Sequence, residues 1–127
     1  MQTTRIFLPK MIERKVGHIV AISSLGGKIS FPLACSYCAT KFGVRGFMWA
    51  LHDELCIDDS DKFIKTTTVY PSFINTRKEL SDVLDTTTEM APRMSAEYVA
   101  DEVVKGMLLN KSDITLPKGY WIVQIVQ

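Results

Sequence analysis

The stretch CSYCATKF, residues 35–42, contains two pairs of side chains whose spacing could serve chemistry. Cys35 and Cys38 form C-x-x-C, and His52 and Cys56 extend it to C-x₂-C-x₁₃-H-x₃-C, close to the spacing of small zinc fingers. Tyr37 and Lys41 stand four residues apart, which on a helix puts them on one side, one turn apart. A free phenol has a pKa of about 10, too high for a base near neutrality, and a neighbouring ammonium favours the phenolate and lowers that value. A tyrosine tuned in this way can take a proton from an alcohol or return one to a carbonyl.

The element that carries these residues separates the two readings. From about Ser36 to Ile57 there is no proline, and Phe42, Val44, Phe47, Met48, Trp49, Leu51 and Leu55 fall nearly all round, the pattern of a deeply buried helix. A zinc finger needs its first ligand pair on a hairpin and its second on a helix. On one continuous helix Cys35 and Cys56 would lie roughly 30 Å apart at about 1.5 Å per residue. Gly43 and Gly46 are the positions where such a helix could break. A redox pair at a helix N-terminus is the other use of C-x-x-C, but a small buried apolar residue is the ordinary role of cysteine and suffices for all three thiols. No metal site is expected.

Around that helix the chain reads as alternating elements. Residues 3–15 place Ile6, Phe7, Met11 and Ile12 on a helical stripe, with Gly17 as its stop. His18–Ser24, HIVAISS, is a short β-branched run of the kind covered on both faces of a sheet. LGGKISFPLA follows as a loop. Phe63–Pro71 is a second strand closed by proline, Ser95 with Glu97 opens an amphipathic helix to about Leu109, and DITLP is a short third strand. Alternating helices and strands argue for an α/β arrangement around a parallel sheet. Three strands and three helices cover about half of such a sheet, so the chain is expected to be part of a larger domain.

Y-x-x-x-K alone is a frequent accident of spacing, and its surroundings give it weight. Ser24 falls thirteen residues before Tyr37, at the C-terminal end of the first strand, where ligands bind in open α/β sheets. The second strand ends in VYPSFINT, which brings Pro71 and Thr76 to the same rim.

With these residues in place, the chain resembles the C-terminal half of the short-chain dehydrogenase/reductase family. GHIVAISS, YCATKFGVRGF and IKTTTVYPSFINT are most similar to its retinol dehydrogenase and 17-beta-hydroxysteroid dehydrogenase subgroup. The resemblance implies the second half of a Rossmann-like doubly wound parallel sheet, residues 1–127 forming a partial domain without the N-terminal dinucleotide-binding half. By that resemblance Ser24 hydrogen-bonds the substrate oxygen and Tyr37 is the acid/base. Lys41 holds the nicotinamide ribose and lowers the tyrosine pKa, and Pro71, Ile74 and Thr76 flank the nicotinamide. NAD or NADP is the implied cofactor, and a hydrophobic alcohol or its carbonyl is the implied substrate. Leu25, Phe31, Leu33 and Phe73 flank the rim, where they would give an apolar pocket or simply pack. The family's glycine after the strand-ending proline is Ser72 here, and none of the seven glycines forms G-x-G, so the choice of NAD or NADP is not readable.

The resemblance also implies a homodimer through the first two helices, with Trp49 either in that interface or in the core. It points further to an endoplasmic reticulum or lipid-droplet membrane, with Trp121–Val126 matching the start of a membrane-associating tail. The chain itself, 127 residues with a net charge of +1 and scattered Lys and Arg, lacks the basic footprint of a nucleic-acid binder. Neither a signal peptide nor an apolar run of the roughly 20 residues needed to span a membrane is read from it. Three cysteines, an odd number, suit free thiols in a reducing compartment. A second reading makes the polypeptide a truncated, non-catalytic partner of a full-length relative.

Overall fold

The computed structural model describes residues 2–75 and 93–119. In chain order these form helix α1 (Gln2–Arg14), strand β1 (Gly17–Ile22), a 3₁₀ turn (Leu25–Gly27), helix α2 (Cys35–Ile57), strand β2 (Ile64–Pro71), helix α3 (Ala96–Leu108) and strand β3 (Asp113–Leu116). The strands make one parallel sheet in the order β1-β2-β3. Gly17–Ile22 pairs with Ile64–Val69, and Thr68–Pro71 with Asp113–Leu116. All three strands therefore run out at the same edge.

Alternation along the strands builds two cores. On one face Ile19, Ala21 and Ile64 pack with Met48, Leu51 and Leu55 of α2 and with Leu8, Met11 and Ile12 of α1. On the other, Val20, Val69, Ile114 and Leu116 pack with Val99 and Val103 of α3 and with Met94. Helices thus cover both faces, as in a doubly wound sheet. Met48, Leu51 and Leu55 recur at three- and four-residue spacing, and full burial of each such side chain stabilises by roughly 1.5–3 kcal/mol.

Three expectations change in the structure. Helix α1 ends at Arg14 because Lys15 takes the left-handed backbone conformation, φ 51°, and Gly17 instead opens β1. A Cβ on Gly17 would stand 2.8 Å from Met11, so glycine there permits close packing rather than a helix stop. Helix α2 is not buried all round: Cys38, Met48, Leu51 and Leu55 are buried, while Phe42 and Trp49 face outward. Its apolar residues fall into two groups, one against the sheet and one turned outward, where the Arg45 guanidinium lies 4.1 Å from the centroid of the Trp49 ring. Strand β1 is partly exposed along its length, with Ile22 open to solvent, because among the described residues no strand pairs with its outer edge. A cleft of about 400 Å³ between α1, β1 and α2 lies on that side, lined by Phe7, Met11, Ile19, Val44 and Phe47.

Helix α3 begins where the sequence places it, with the Ser95 hydroxyl accepting from the Tyr98 amide at 3.1 Å. Its Glu102 carboxylate pairs with Lys118 at 2.6 Å, and that bond holds its pKa below the usual carboxylate range. Among the described residues no helix is long and apolar enough to cross a membrane. Trp121–Val126, read above as the start of a tail, lies outside the described residues.

Candidate active site

Beyond Ile22 the chain keeps one more sheet bond, from the Ser23 amide to the Val69 carbonyl at 2.8 Å, and then turns. Ser24 has extended backbone and caps the 3₁₀ turn, its Oγ accepting from the Gly26 amide at 3.2 Å. A hydroxyl that accepts from the backbone keeps its own proton free to donate outward. The turn is drawn onto the first turns of α2. The Ser23 Oγ donates to the Lys41 carbonyl at 3.0 Å, and a Cβ on Gly27 would stand 2.6 Å from that Oγ and 2.7 Å from that carbonyl oxygen. No larger residue fits at 27 while the turn and helix keep this distance.

Tyr37 comes to the same place from the helix side. A Cβ on Gly26 would meet the edge of its ring at 3.0 Å and the Phe31 ring at 3.2 Å, so Gly26 is the floor on which both aromatic rings rest. The Tyr37 side chain is 47% exposed. One turn on, the Lys41 ammonium lies 5.7 Å from the Tyr37 ring centroid, and among the described residues no carboxylate pairs with it. The structure therefore brings Ser24, Tyr37 and Lys41 to one rim, through the glycine pair between them. Sequence reasoning took LGG as an ordinary loop and passed over Gly26 and Gly27. The signal that could have found them is a pair of adjacent glycines one residue beyond a strand-end serine.

The other candidates are distributed around this rim. Pro71 ends β2 and is buried, the Ser72 amide donates to the Leu116 carbonyl at 2.9 Å, and Ile74 bridges to Met94. Phe73 is partly buried. Leu25 is buried beneath the turn, whereas Leu33, in the left-handed region at φ 63°, is fully exposed, with Phe31 at the border of exposure. Thr76 lies outside the described residues. Cys35 and Cys56 sit at opposite ends of α2, one at its first residue and the other next to its last, so the four residues of the zinc-finger spacing do not converge. Cys56 instead lies 3.7 Å from His52 on the same helix.

Residues 1–85 match the family described as short chain dehydrogenase. The chain belongs to that family. Among curated proteins, this short-chain dehydrogenase chain is 33% identical over 125 residues to estradiol 17-beta-dehydrogenase 11 of Macaca fascicularis, covering 98% of the chain and 40% of that protein. It is 36% identical over 129 residues to retinol dehydrogenase 10 of Xenopus tropicalis, covering 95% of the chain and 36% of that protein. The chain thus spans about two fifths of the length of the curated relatives it matches. Among solved structures it superposes on a 3-oxoacyl-[acyl-carrier protein] reductase of Brucella melitensis with bound NAD, TM-score 0.64 at 29% identity, covering 90% of the chain and 44% of that one. A short-chain dehydrogenase/reductase of Burkholderia phymatum in complex with NAD gives a TM-score of 0.77 at 17% identity over 96% of the chain and 50% of its own, which shows the shared fold.

Proposed function

We propose that this chain supplies the proton-transfer and substrate-facing half of an NAD- or NADP-dependent oxidoreductase acting on the CH–OH group of a hydrophobic alcohol. The observation that carries the reading is the meeting of Tyr37, Lys41 and the Ser24 turn at the carboxyl edge of a parallel sheet. Family membership supports the reaction type, the NAD-bound reductase at 29% identity supports the cofactor, and the retinol and estradiol dehydrogenase relatives support a retinol- or steroid-like substrate.

A nicotinamide dinucleotide, when bound, exchanges a hydride with the carbinol carbon. The residues present fit its nicotinamide end: an ammonium with no carboxylate partner among the described residues and a half-exposed phenol lie 5.7 Å apart on α2, and Pro71 ends the adjacent parallel strand β2 at the same edge of the sheet as Ser24. Lys41 would hold the ribose hydroxyls, and Pro71, Ile74 and Thr76 would flank the ring. The Ser24 hydroxyl, its oxygen engaged by the Gly26 amide, donates to the substrate oxygen. Tyr37 takes the alcohol proton during oxidation and returns it to the carbonyl oxygen during reduction. Phe31, whose ring meets Gly26 beside that of Tyr37, and the exposed Leu33 of the same loop offer apolar surface that suits a lipid-like substrate better than a charged one.

The outward Phe42 and Trp49 face of α2, with Ile6 and Phe7 exposed on α1, supports a dimer through these two helices. A membrane-associated setting at the endoplasmic reticulum or lipid droplet rests only on the resemblance to the retinol and steroid dehydrogenase subgroup. The test of the function is dehydrogenase activity with retinol and estradiol, NAD and NADP, for the parent and Tyr37→Phe. Activity in the parent and its loss in the variant, with dinucleotide binding retained, is the expected result. Equal activity in the two would remove Tyr37 from the mechanism.

A further inference from the structure

The turn that carries Ser24 at one end carries Lys28 at the other, and Lys28 does something the sequence reading did not anticipate. Its amide closes the turn onto the Leu25 carbonyl at 2.8 Å, and its side chain, only 6% exposed, runs under the site across the sheet. There the ammonium donates to the Thr115 Oγ at 3.0 Å, pairs with the Asp113 carboxylate at 3.6 Å, and lies 4.3 Å from the centroid of the fully buried Tyr70 ring. Asp113 and Thr115 belong to β3, while Tyr70 immediately precedes Pro71 at the end of β2. One buried ammonium therefore ties the serine turn to the ends of both neighbouring strands.

The Lys28 side chain is buried, so its ammonium is costly to displace from Thr115 and Asp113, the partners that compensate its lost hydration. The turn has further attachments: at its leading edge the Ser23 amide donates to the Val69 carbonyl at 2.8 Å and the Ser23 Oγ to the Lys41 carbonyl at 3.0 Å, and the Arg45 guanidinium of α2 reaches the Gly27 carbonyl at 3.4 Å, a long bond. Ser24 has no side-chain anchor beyond its own turn: its Oγ is held by the Gly26 amide within it. Ser23 holds the leading edge of the turn and Lys28 its trailing edge, so a displacement of Lys28 tilts the turn and shifts the Ser24 hydroxyl relative to Tyr37.

We propose that Lys28 is a positioning residue for Ser24, acting through the Leu25–Gly27 turn by its anchorage on Thr115 and Asp113. The proposal rests on the reading of Ser24 and Tyr37 given above. The test is steady-state kinetics of the active protein for Lys28→Met, Ser24→Ala and the two combined, with Tyr37→Phe as the reference for the chemistry. Lys28→Met is expected to lower kcat about tenfold, with the KM for the dinucleotide unchanged, because a small misplacement of an orienting group is felt at the reacting atoms. In the Ser24→Ala background the same substitution should cost nothing further, since groups acting through one another are not additive. A residue with a merely structural role would give independent losses in the cycle.

Should Lys28→Met fail to fold, the near-isosteric Thr115→Val removes one anchor and leaves the charge pair. It is then expected to reduce kcat about threefold, again only while Ser24 is present. Parent-like kcat in whichever of these variants folds, or losses that multiply with Ser24→Ala, would overturn the positioning role. An inactive parent, or a Tyr37→Phe variant as active as the parent, would overturn the underlying functional reading and this proposal with it.

Discussion

Two lysines in this chain lie over two tyrosine rings, and the pairs behave as opposites. Lys41 and Tyr37 share the first turns of α2, face solvent and leave the ammonium without a carboxylate partner among the described residues. Lys28 and Tyr70 come from a turn and a strand 42 positions apart in the chain, are buried, and have the ammonium committed to Thr115 and Asp113. Burial holds the Lys28 pKa below its ordinary value, with Asp113 opposing and Arg45 assisting. Burial also pushes the Tyr70 hydroxyl up to about 12, helped by the Asp113 charge, and among the described residues no group stands in good hydrogen-bond geometry to that hydroxyl. The same two residue types make the proposed reactive pair where water and a ligand can enter, and a structural pair where neither can.

The comparison breaks most visibly at Tyr37. Tyr37→Phe should lower kcat by roughly 10²–10⁴-fold, the usual worth of a positioned acid/base, with the thermal midpoint unchanged because a half-exposed ring loses little packing. Steady-state kinetics beside a thermal melt checks both halves of that statement. Gly27 stands between the two pairs, and Gly27→Ala tests the wall they share. The added methyl meets the Ser23 Oγ and the Lys41 carbonyl, and overpacking of this kind costs about 1–3 kcal/mol. Denaturant unfolding should register the loss, and activity should fall with it. Parent-like stability would mean that the turn can lift off the helix.

Tyr70→Phe should do the reverse of Tyr37→Phe. Activity is expected to stay near the parent's, and stability at neutral pH to hold or rise by up to about 1 kcal/mol, since a buried hydroxyl without a well-aligned partner costs more than no hydroxyl. Denaturant unfolding beside kinetics reads both. At alkaline pH the sign is specific. The folded chain keeps the Tyr70 proton until about 12, whereas the unfolded chain releases it near 10, so the contribution of this group to stability declines as pH rises from 10 to 12. Lys28 works in the other direction: its lowered pKa makes the folded chain the first to release that proton, so its contribution to stability rises as pH climbs towards 10.5. Because the two offset each other in a melt, tyrosinate absorbance is the sharper measurement. One of the four tyrosines should ionise near 12, and that late step should vanish in Tyr70→Phe.

Residue type and local spacing were enough for everything that depends on neighbours in sequence. The helical stripes of α1 and α3, the proline-free apolar stretch of α2 and the short β-branched runs closed by turn residues located the three helices and three strands to within a residue or two. The i, i+4 spacing of Tyr37 and Lys41 placed them one turn apart, and the strand-end position of Ser24 brought it to their edge, because parallel strands all finish on the same side. What the pattern left open was every relation between residues distant in the chain. The outward face of α2 looked as apolar as its buried face, so Phe42 and Trp49 could not be told from core until the sheet had chosen one side. Gly26 and Gly27 read as loop residues until the helix came within contact of them. Lys28, Tyr70, Asp113 and Thr115 carried no periodic or motif signal at all. Their meeting is fixed by which strands pair and in what register, and those long-range choices, made by the packing of the whole sheet, turned an ordinary loop lysine into a buried tether under the serine turn.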